Sequence, residues 1–203
     1  MKQLKHRFKN SAYILAFSLC LPIGSVGAAQ DSENNSSVCT TTAIERANNN
    51  FGSDANGVPA SEKTSCIKNR HNLKAIVAWN SDNVHPSKNG LQVLNARNIL
   101  NDWEESYQLK AGKDFDVVIV SYGKGARWAI NDAAYKEKFG TDNPSTIIVK
   151  SLIERGAKLY MCQNSMKGNG WKTTDLIDGV NMVPSGVTAV IDFQYQGYKY
   201  IAP

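Results

Sequence analysis

The sequence predicts an α/β domain in which a mainly parallel sheet carries helices on both of its faces. Three observations lead to this fold class. Near-continuous apolar runs rich in Val and Ile, such as residues 73–80 and 115–123, are typical of strands buried on both faces. Segments with apolar residues at spacings of three and four, the helical period, lie between these runs. The alternation of the two patterns favours right-handed connections between parallel strands.

Five strands and several helices are predicted in order along the chain. The strands are 73–80, 115–123, 157–163, 179–185 and a short one at 198–203. The helix between the first two strands has one buried face, formed by Val93, Ala96, Leu100, Trp103 and Tyr107. Further helices are predicted in "GARWAINDAAYKEKF", in the segment that opens "DNPSTIIVKSLIERG" and in "SGVTAVIDFQYQG", where Ser185 is the expected N-cap.

Residues 1–29 have the order of segments found in a secretory signal peptide. Basic side chains without an acidic one come first, a mostly apolar run follows, and small residues lead to Ala28 and Ala29. The apolar run is shorter than the roughly 20 residues of a permanent membrane anchor. We therefore expect cleavage after Ala28 or Ala29, a periplasmic or secreted mature protein, and no membrane association after cleavage. Lipid modification at Cys20 is the less favoured alternative, because Leu19 stands where a small residue is required.

The charge balance excludes a large class of partners. The chain has 23 Lys+Arg against 18 Asp+Glu, and the predicted signal peptide holds four of the basic residues, which leaves 19 against 18 in the mature chain. A nearly neutral chain without a basic cluster has no electrostatic surface for nucleic acid. We therefore expect no nucleic-acid partner.

Residues 30–72 are predicted to form an N-terminal arm ahead of the α/β domain at 73–203. The arm is rich in Asn, Ser, Thr and Gly and has little hydrophobic period beyond a short helix near residues 42–48. Cys39 and Cys66 both lie in it, and in an oxidising compartment we expect them to form a disulfide. Closing a loop of about 28 residues contributes roughly 3 to 4 kcal/mol in the chain-entropy estimate.

The remaining mature cysteine, Cys162, stands at the carboxyl end of a predicted strand, where a polar segment begins. Ligands of open α/β sheets bind at this edge, and His85 and Gly123 follow the first two strands at the same edge. Backbone amides in such turns stabilise thiolates and bound anions. Burial is the alternative, because free cysteine is among the most often buried residue types.

No cofactor or metal is predicted. The "GKGA" segment after the second strand lacks the third glycine of a dinucleotide-binding loop and the Lys-Ser/Thr pair of a P-loop. His71 and His85 are the histidines of the mature chain, and they are too few and too far apart in sequence to indicate a metal site.

Several stretches resemble a known family. "GAKLYMCQNSM" and "GVNMVPSGVTAVIDFQYQGYKYIAP" resemble the C-terminal half of exported members of the DsrE/DsrF-like family, and "FDVVIVSYGKGARWAI" and "LQVLNARNIL" resemble its second strand and first helix. The resemblance covers about residues 73–203 and excludes the arm. It implies a three-layer α/β/α domain with a mainly parallel five-stranded sheet, assembled as a homo-oligomer, either a trimer or a hexamer.

The resemblance also bears on function. Cytoplasmic relatives relay sulfur as a cysteine persulfide, but their cysteine starts the helix before the third strand, and "TIIVKSLIERG" has none. The match is to a branch with its cysteine after that strand. It therefore carries over to Cys162, with Gln163, Asn164 and Ser165 expected to hydrogen-bond a thiolate or a small anion.

Two functions follow from these considerations. One is a periplasmic thiol protein that accepts sulfane sulfur from a donor and carries it on Cys162. The other is a non-catalytic, homo-oligomeric module that binds a small ligand and in which Cys162 is structural.

Overall fold

The computed structural model describes residues 39–202, and the predicted signal peptide at 1–29 lies outside the described residues. Six α-helices and five β-strands form within the described range. The helices are α1 Thr41–Phe51, α2 Leu91–Asn101, α3 Asp132–Phe139, α4 Thr146–Glu154, α5 Gln163–Asn169 and α6 Gly186–Tyr195. The strands are β1 Leu73–Trp79, β2 Phe115–Ser121, β3 Lys158–Cys162, β4 Asn181–Val183 and β5 Lys199–Ile201.

The five strands form one sheet in the order β4-β3-β2-β1-β5, and every neighbouring pair is parallel. The predicted α/β fold with five strands is confirmed, although each strand is shorter than its apolar run. The near-continuous burial of β1 and β2 explains why their sequences lack polar alternation. The edge strands β4 and β5 have three residues each and are mostly exposed.

The two faces of the sheet are covered unequally. Helices α2 to α5 pack on one face, where Trp79, Trp128 and Leu152 are almost completely buried. On the other face α6 packs through Val190 against apolar side chains of the central strands. None of the helices in the described part of the chain is long and apolar enough to cross a bilayer.

Aromatic contacts near the C-terminal end of α6 fix the helix on this second face of the sheet. The Phe193 ring lies 5.5 Å from the Tyr160 ring and 5.4 Å from the Tyr198 ring, measured between centroids. The Tyr198 hydroxyl donates a hydrogen bond of 2.6 Å to Asp116, and Lys158 donates to the same carboxylate at 2.8 Å. A charge-assisted hydrogen bond therefore connects the aromatic cluster to the amino-terminal part of β2.

The predicted buried face of α2 is confirmed, since Val93, Ala96 and Leu100 are fully buried. The α-helical geometry stops before the predicted end of the helix, and residues Asp102–Ser106 form a π-helical turn instead.

The segment "GARWAINDAAYKEKF" was predicted as one helix and is instead two elements. A 3₁₀ helix spans Gly123–Ala129, and α3 starts afresh after Asn131, whose side chain accepts a hydrogen bond from the Ala134 amide at 3.0 Å. This N-cap favours a new helix start over continuation. The 3₁₀ helix also lies against β1, since a Cβ on Gly125 would stand 2.4 Å from the Trp79 carbonyl.

The described part of the arm contains more structure than the sequence predicts. Helix α1 is longer than the expected segment at 42–48, and Ala43 joins the main core. Arg46 donates to the Ser106 hydroxyl at 2.8 Å, so α1 is held against the π-helical turn. The predicted disulfide between Cys39 and Cys66 is present and joins the start of α1 to the chain ahead of β1.

Removal of this disulfide tests its contribution to the fold. The double variant Cys39→Ser/Cys66→Ser should unfold with a free energy lower by about 3 kcal/mol, because the link restricts the unfolded chain. Urea denaturation followed by circular dichroism measures the loss. Cys162→Ser serves as the control that removes a cysteine without removing the link. A double variant as stable as the parent would show that packing of α1 alone holds the arm.

Candidate functional site

The site lies where neighbouring strands send the chain to opposite faces of the sheet. Strand β3 is followed by α5 on the well-covered face, and the adjacent β4 is followed by α6 on the other face. Such a divergence leaves a crevice at the carboxyl edge of a parallel sheet, which is where open α/β sheets bind ligands. Cys162 ends β3 and pairs in register with Val183, which ends β4. The cysteine therefore stands in this crevice.

The Cys162 sulfur is surrounded by hydrogen-bond donors. The sulfur accepts hydrogen bonds from the backbone N–H groups of Asn164, Ser165 and Gly186 and from the Ser165 hydroxyl. The residue is only 5% exposed, so these donors replace water as the partners of the sulfur. The segment predicted as a polar turn is the first turn of α5, and two of the three amides come from that turn.

The surroundings change the acidity of the thiol in two opposing ways. Burial is the largest single influence and acts to raise the pKa of Cys162, because it disfavours the charged thiolate. The Ser165 hydroxyl and the three amides act together in the opposite direction, and the pKa of the thiol lies below its ordinary value. The donors therefore outweigh desolvation, and the thiolate is the favoured form over a wider pH range than in a free cysteine.

Gly123 supports the site through Ser165. Its amide donates a hydrogen bond of 2.9 Å to the Ser165 oxygen, so the hydroxyl proton is left to point at the Cys162 sulfur. Gly123 has a φ of +56°, a conformation that glycine adopts without strain. The structure thus brings Cys162, Asn164, Ser165 and Gly123 together, as the topology of the predicted sheet implies.

Two residues with a predicted site role do not contact the sulfur in the described structure. Gln163 has an exposed side chain that lines an open depression of about 450 Å³ together with Trp171. His85 is exposed, and its Nδ1 atom lies 2.9 Å from the Ser87 hydroxyl within its own loop. Their side chains are therefore set apart from the donors around Cys162.

Gly186 is the site residue that the sequence reasoning missed. It is the first residue of α6, the helix that follows β4. Its backbone amide donates a hydrogen bond to the sulfur of Cys162 at the end of the neighbouring strand β3. A Cβ at this position would stand 2.6 Å from the Tyr122 Cβ, so only glycine fits. The available signal was Ser185, the N-cap of α6, because the residues after an N-cap carry free amides.

Tyr122 forms the wall against which Gly186 packs, and hydroxyl contacts hold it in place. Its oxygen lies 3.5 Å from the Asn80 amide nitrogen, and it hydrogen-bonds with the Tyr200 hydroxyl of β5. Burial raises the pKa of Tyr200, with a further contribution from Tyr122, so this phenol stays protonated. Asn80 is in turn bound by the buried Gln92 at 2.8 Å.

The described residues contain no group of three or more His, Cys, Asp or Glu side chains that could hold a metal ion. The arrangement around Cys162 suits a different task. Uncharged donors that converge on one sulfur stabilise a thiolate and any anion formed on it.

A comparison with protein families decides the relationship of the chain. The sequence profile described as the DsrE/DsrF-like family matches residues 74–203, which is more than half of the chain. The chain belongs to the DsrE/DsrF-like family. The match covers all five strands of the sheet except the first residue of β1, and it includes Cys162.

Two solved structures are similar to this DsrE/DsrF-like chain. A protein of unknown function, MTH1491 from Methanobacterium thermoautotrophicum, is 23% identical with a TM-score of 0.50, and the alignment covers 65% of this chain and all of that one. The ychN protein from E. coli is 15% identical with a TM-score of 0.42, over 64% of this chain and 97% of that one. The first likeness supports the fold alone. No curated protein matches the chain significantly.

Substitution of Ser165 tests the balance of forces at the sulfur. Ser165→Ala removes one hydrogen bond to the thiolate and should raise the apparent pKa of Cys162. The pH dependence of iodoacetamide alkylation of the native protein measures this shift. Asn164→Ala is the matched control in the same turn, because Asn164 contributes its backbone amide and its side chain is exposed. If the two variants had the same pKa, the hydroxyl would have no role.

Proposed function

We propose that this DsrE/DsrF-like protein accepts sulfane sulfur on Cys162 and carries it as a persulfide. The observation that carries the proposal is the set of four donors on one cysteine sulfur, in the crevice where two strand connections diverge. A persulfide is a stronger acid than a thiol, so the carried group is an anion near neutral pH. The same donors that stabilise the thiolate suit that anion.

The transfer step needs no external oxidant or reductant. The Cys162 thiolate attacks the outer sulfur of a hydrogen polysulfide, and a new sulfur–sulfur bond forms from the thiolate electron pair. The bond between that outer sulfur and the rest of the chain breaks, and its electron pair leaves with the shortened polysulfide. The proton stays on the transferred sulfur and is then lost, which leaves the persulfide anion among the donors.

The proposal includes a location outside the cytoplasm. The order of basic, apolar and small residues in positions 1–29 supports export. The disulfide between Cys39 and Cys66 supports it as well, because such links persist in oxidising compartments. The mature protein would then meet its sulfur donor in the periplasm or outside the cell.

Intact-mass measurement tests the sulfur-carrying function. Mature protein treated with inorganic polysulfide and then desalted should gain the mass of one sulfur atom, and dithiothreitol should remove it. Cys162→Ser should gain nothing, although its arm disulfide is intact. If the parent gained no sulfur while Cys162 remained open to alkylation, Cys162 would be structural and the chain a ligand-binding module.

We also propose that the chain forms a homo-oligomer through α6. Val187, Ile191 and Tyr195 follow one another at intervals of four residues and are 58%, 49% and 89% exposed. Positions four apart lie on one side of a helix, so these side chains form an apolar stripe. Such a stripe on the layer that covers the second face of the sheet is suited to burial against the same stripe of another copy.

Charge substitution on the stripe tests this interface. Ile191→Glu should lower the mass measured by light scattering at micromolar concentration toward that of a monomer, because association would bury the new carboxylate. Ile147→Glu is the matched control, since Ile147 is 83% exposed on α4, on the other side of the sheet. A parent protein that is already monomeric at this concentration would overturn the proposal.

A further inference from the structure

We propose that the depression beside α5 binds a small planar anion, of the class of aromatic carboxylates and sulfonates. The depression has a volume of about 450 Å³, and Gln163, Lys167, Trp171, Lys172 and Met182 are among the residues that line it. The inference goes beyond the proposed sulfur-carrying function and does not depend on it. It rests on the shape of the depression, on the fixed position of Trp171 and on the charge of the lining side chains.

Three separate segments of the chain form the depression. Gln163 and Lys167 belong to α5, Trp171 and Lys172 follow that helix, and Met182 is the central residue of the edge strand β4. The Met182 side chain is 39% exposed, although methionine is among the residues most often buried. A concave surface with apolar walls and a few polar groups is the usual form of a small-molecule site.

The backbone and a lysine hold Trp171 in place at the wall of the depression. The Trp171 amide donates a hydrogen bond of 3.0 Å to the Met166 carbonyl. The Lys138 ammonium lies 5.0 Å from the centroid of the indole ring, and it donates to the Asn169 side chain at 2.6 Å. Asn169 in turn donates to the Ser165 carbonyl at 2.7 Å. The ring is therefore oriented before a ligand arrives, and a planar ligand can pack against it with little loss of side-chain freedom.

The surroundings of the depression carry a net positive charge. Lys167 and Lys172 are both exposed, and neither forms an ion pair within the described part of the chain. Lys138, which contacts Trp171, adds a third positive charge. The Asp175 carboxylate accepts a hydrogen bond of 2.7 Å from the Lys172 amide and is not among the described lining residues. An anionic group in the depression is therefore attracted, whereas a cationic group is repelled.

Shape and charge together select the class of ligand. An inorganic anion would pair with the lysines and leave the apolar surfaces of Trp171 and Met182 in water. An uncharged aromatic ring would cover those surfaces and gain nothing from the lysines. A planar aromatic group that carries a carboxylate or sulfonate uses both features, and the exposed Gln163 amide can donate a further hydrogen bond to its acid group.

Titration with two probes of opposite charge tests this class. Naphthalene-1-sulfonate and 1-naphthylmethylammonium have the same ring system and differ in charge. In isotope-labelled protein, the sulfonate should shift the indole N–H resonance of Trp171, which is assigned with Trp171→Phe. The resonances of the fully buried Trp79 and Trp128 should stay in place. We expect the dissociation constant of the ammonium probe to be at least tenfold higher than that of the sulfonate.

Lysine substitution tests the source of the selectivity. Lys167→Gln/Lys172→Gln should weaken sulfonate binding at least fivefold, because both ammonium groups of the lining are lost. Lys113→Gln/Lys150→Gln is the matched control, since it removes the same charge from exposed lysines outside the lining and should leave the affinity unchanged.

Four results would overturn the inference: no saturable shift at millimolar sulfonate, a shift confined to other indole resonances, equal affinity for the two probes, or equal loss of affinity in the two double variants. None of these measurements uses a sulfur donor. Such a result would therefore leave the sulfur-carrying function of Cys162 standing, and a failure of sulfur transfer would leave the anion site standing.

Discussion

The order of strands in an all-parallel sheet is the constraint on which this structure depends. The chain builds β1, β2, β3 and β4 outward in one direction and must then return across the sheet to place β5 beside β1. The return passes over the face that α2 to α5 leave open, so α6 becomes its cover. The divergence of α5 and α6 at neighbouring strand ends follows directly. The crevice at Cys162 therefore arises from the strand order and does not depend on any particular side chain.

Within that crevice the protein controls a thiol with groups that do not titrate near neutral pH. A cysteine paired with a histidine or a lysine depends on the protonation of its partner, but three backbone amides and a serine hydroxyl donate at any pH near neutrality. The amides are also held by elements with other roles: two belong to the turn that starts α5, and one begins α6. The acidity of the thiol is thus set by burial, which raises its pKa, and by the Ser165 hydroxyl and the three amides, which together lower it.

The sequence was informative where burial dictates composition. Strands β1 and β2 are buried on both faces and could be recognised from Val and Ile alone, and the disulfide followed from two cysteines in a weakly apolar arm. Helix α5 could not be recognised, because Asn164, Ser165, Gly168 and Asn169 have low or modest helix preference and Met166 is the one side chain of that helix that is buried. The Gly186 contact depends on the register between β3 and β4, which no local pattern encodes.

The dependence of Cys162 on α6 has a consequence for how the site forms during folding. Residues 186–201 follow β3 and α5 in the chain, and they supply both the donor amide and the Tyr200 contact behind Tyr122. Until they have docked, the sulfur has only the partners that α5 provides. A chain in which these residues have not docked therefore lacks part of the donor set that lowers the pKa of Cys162. The full set of donors forms only when α6 and β5 have docked, so the lowered pKa of the Cys162 thiol depends on the closure of the sheet.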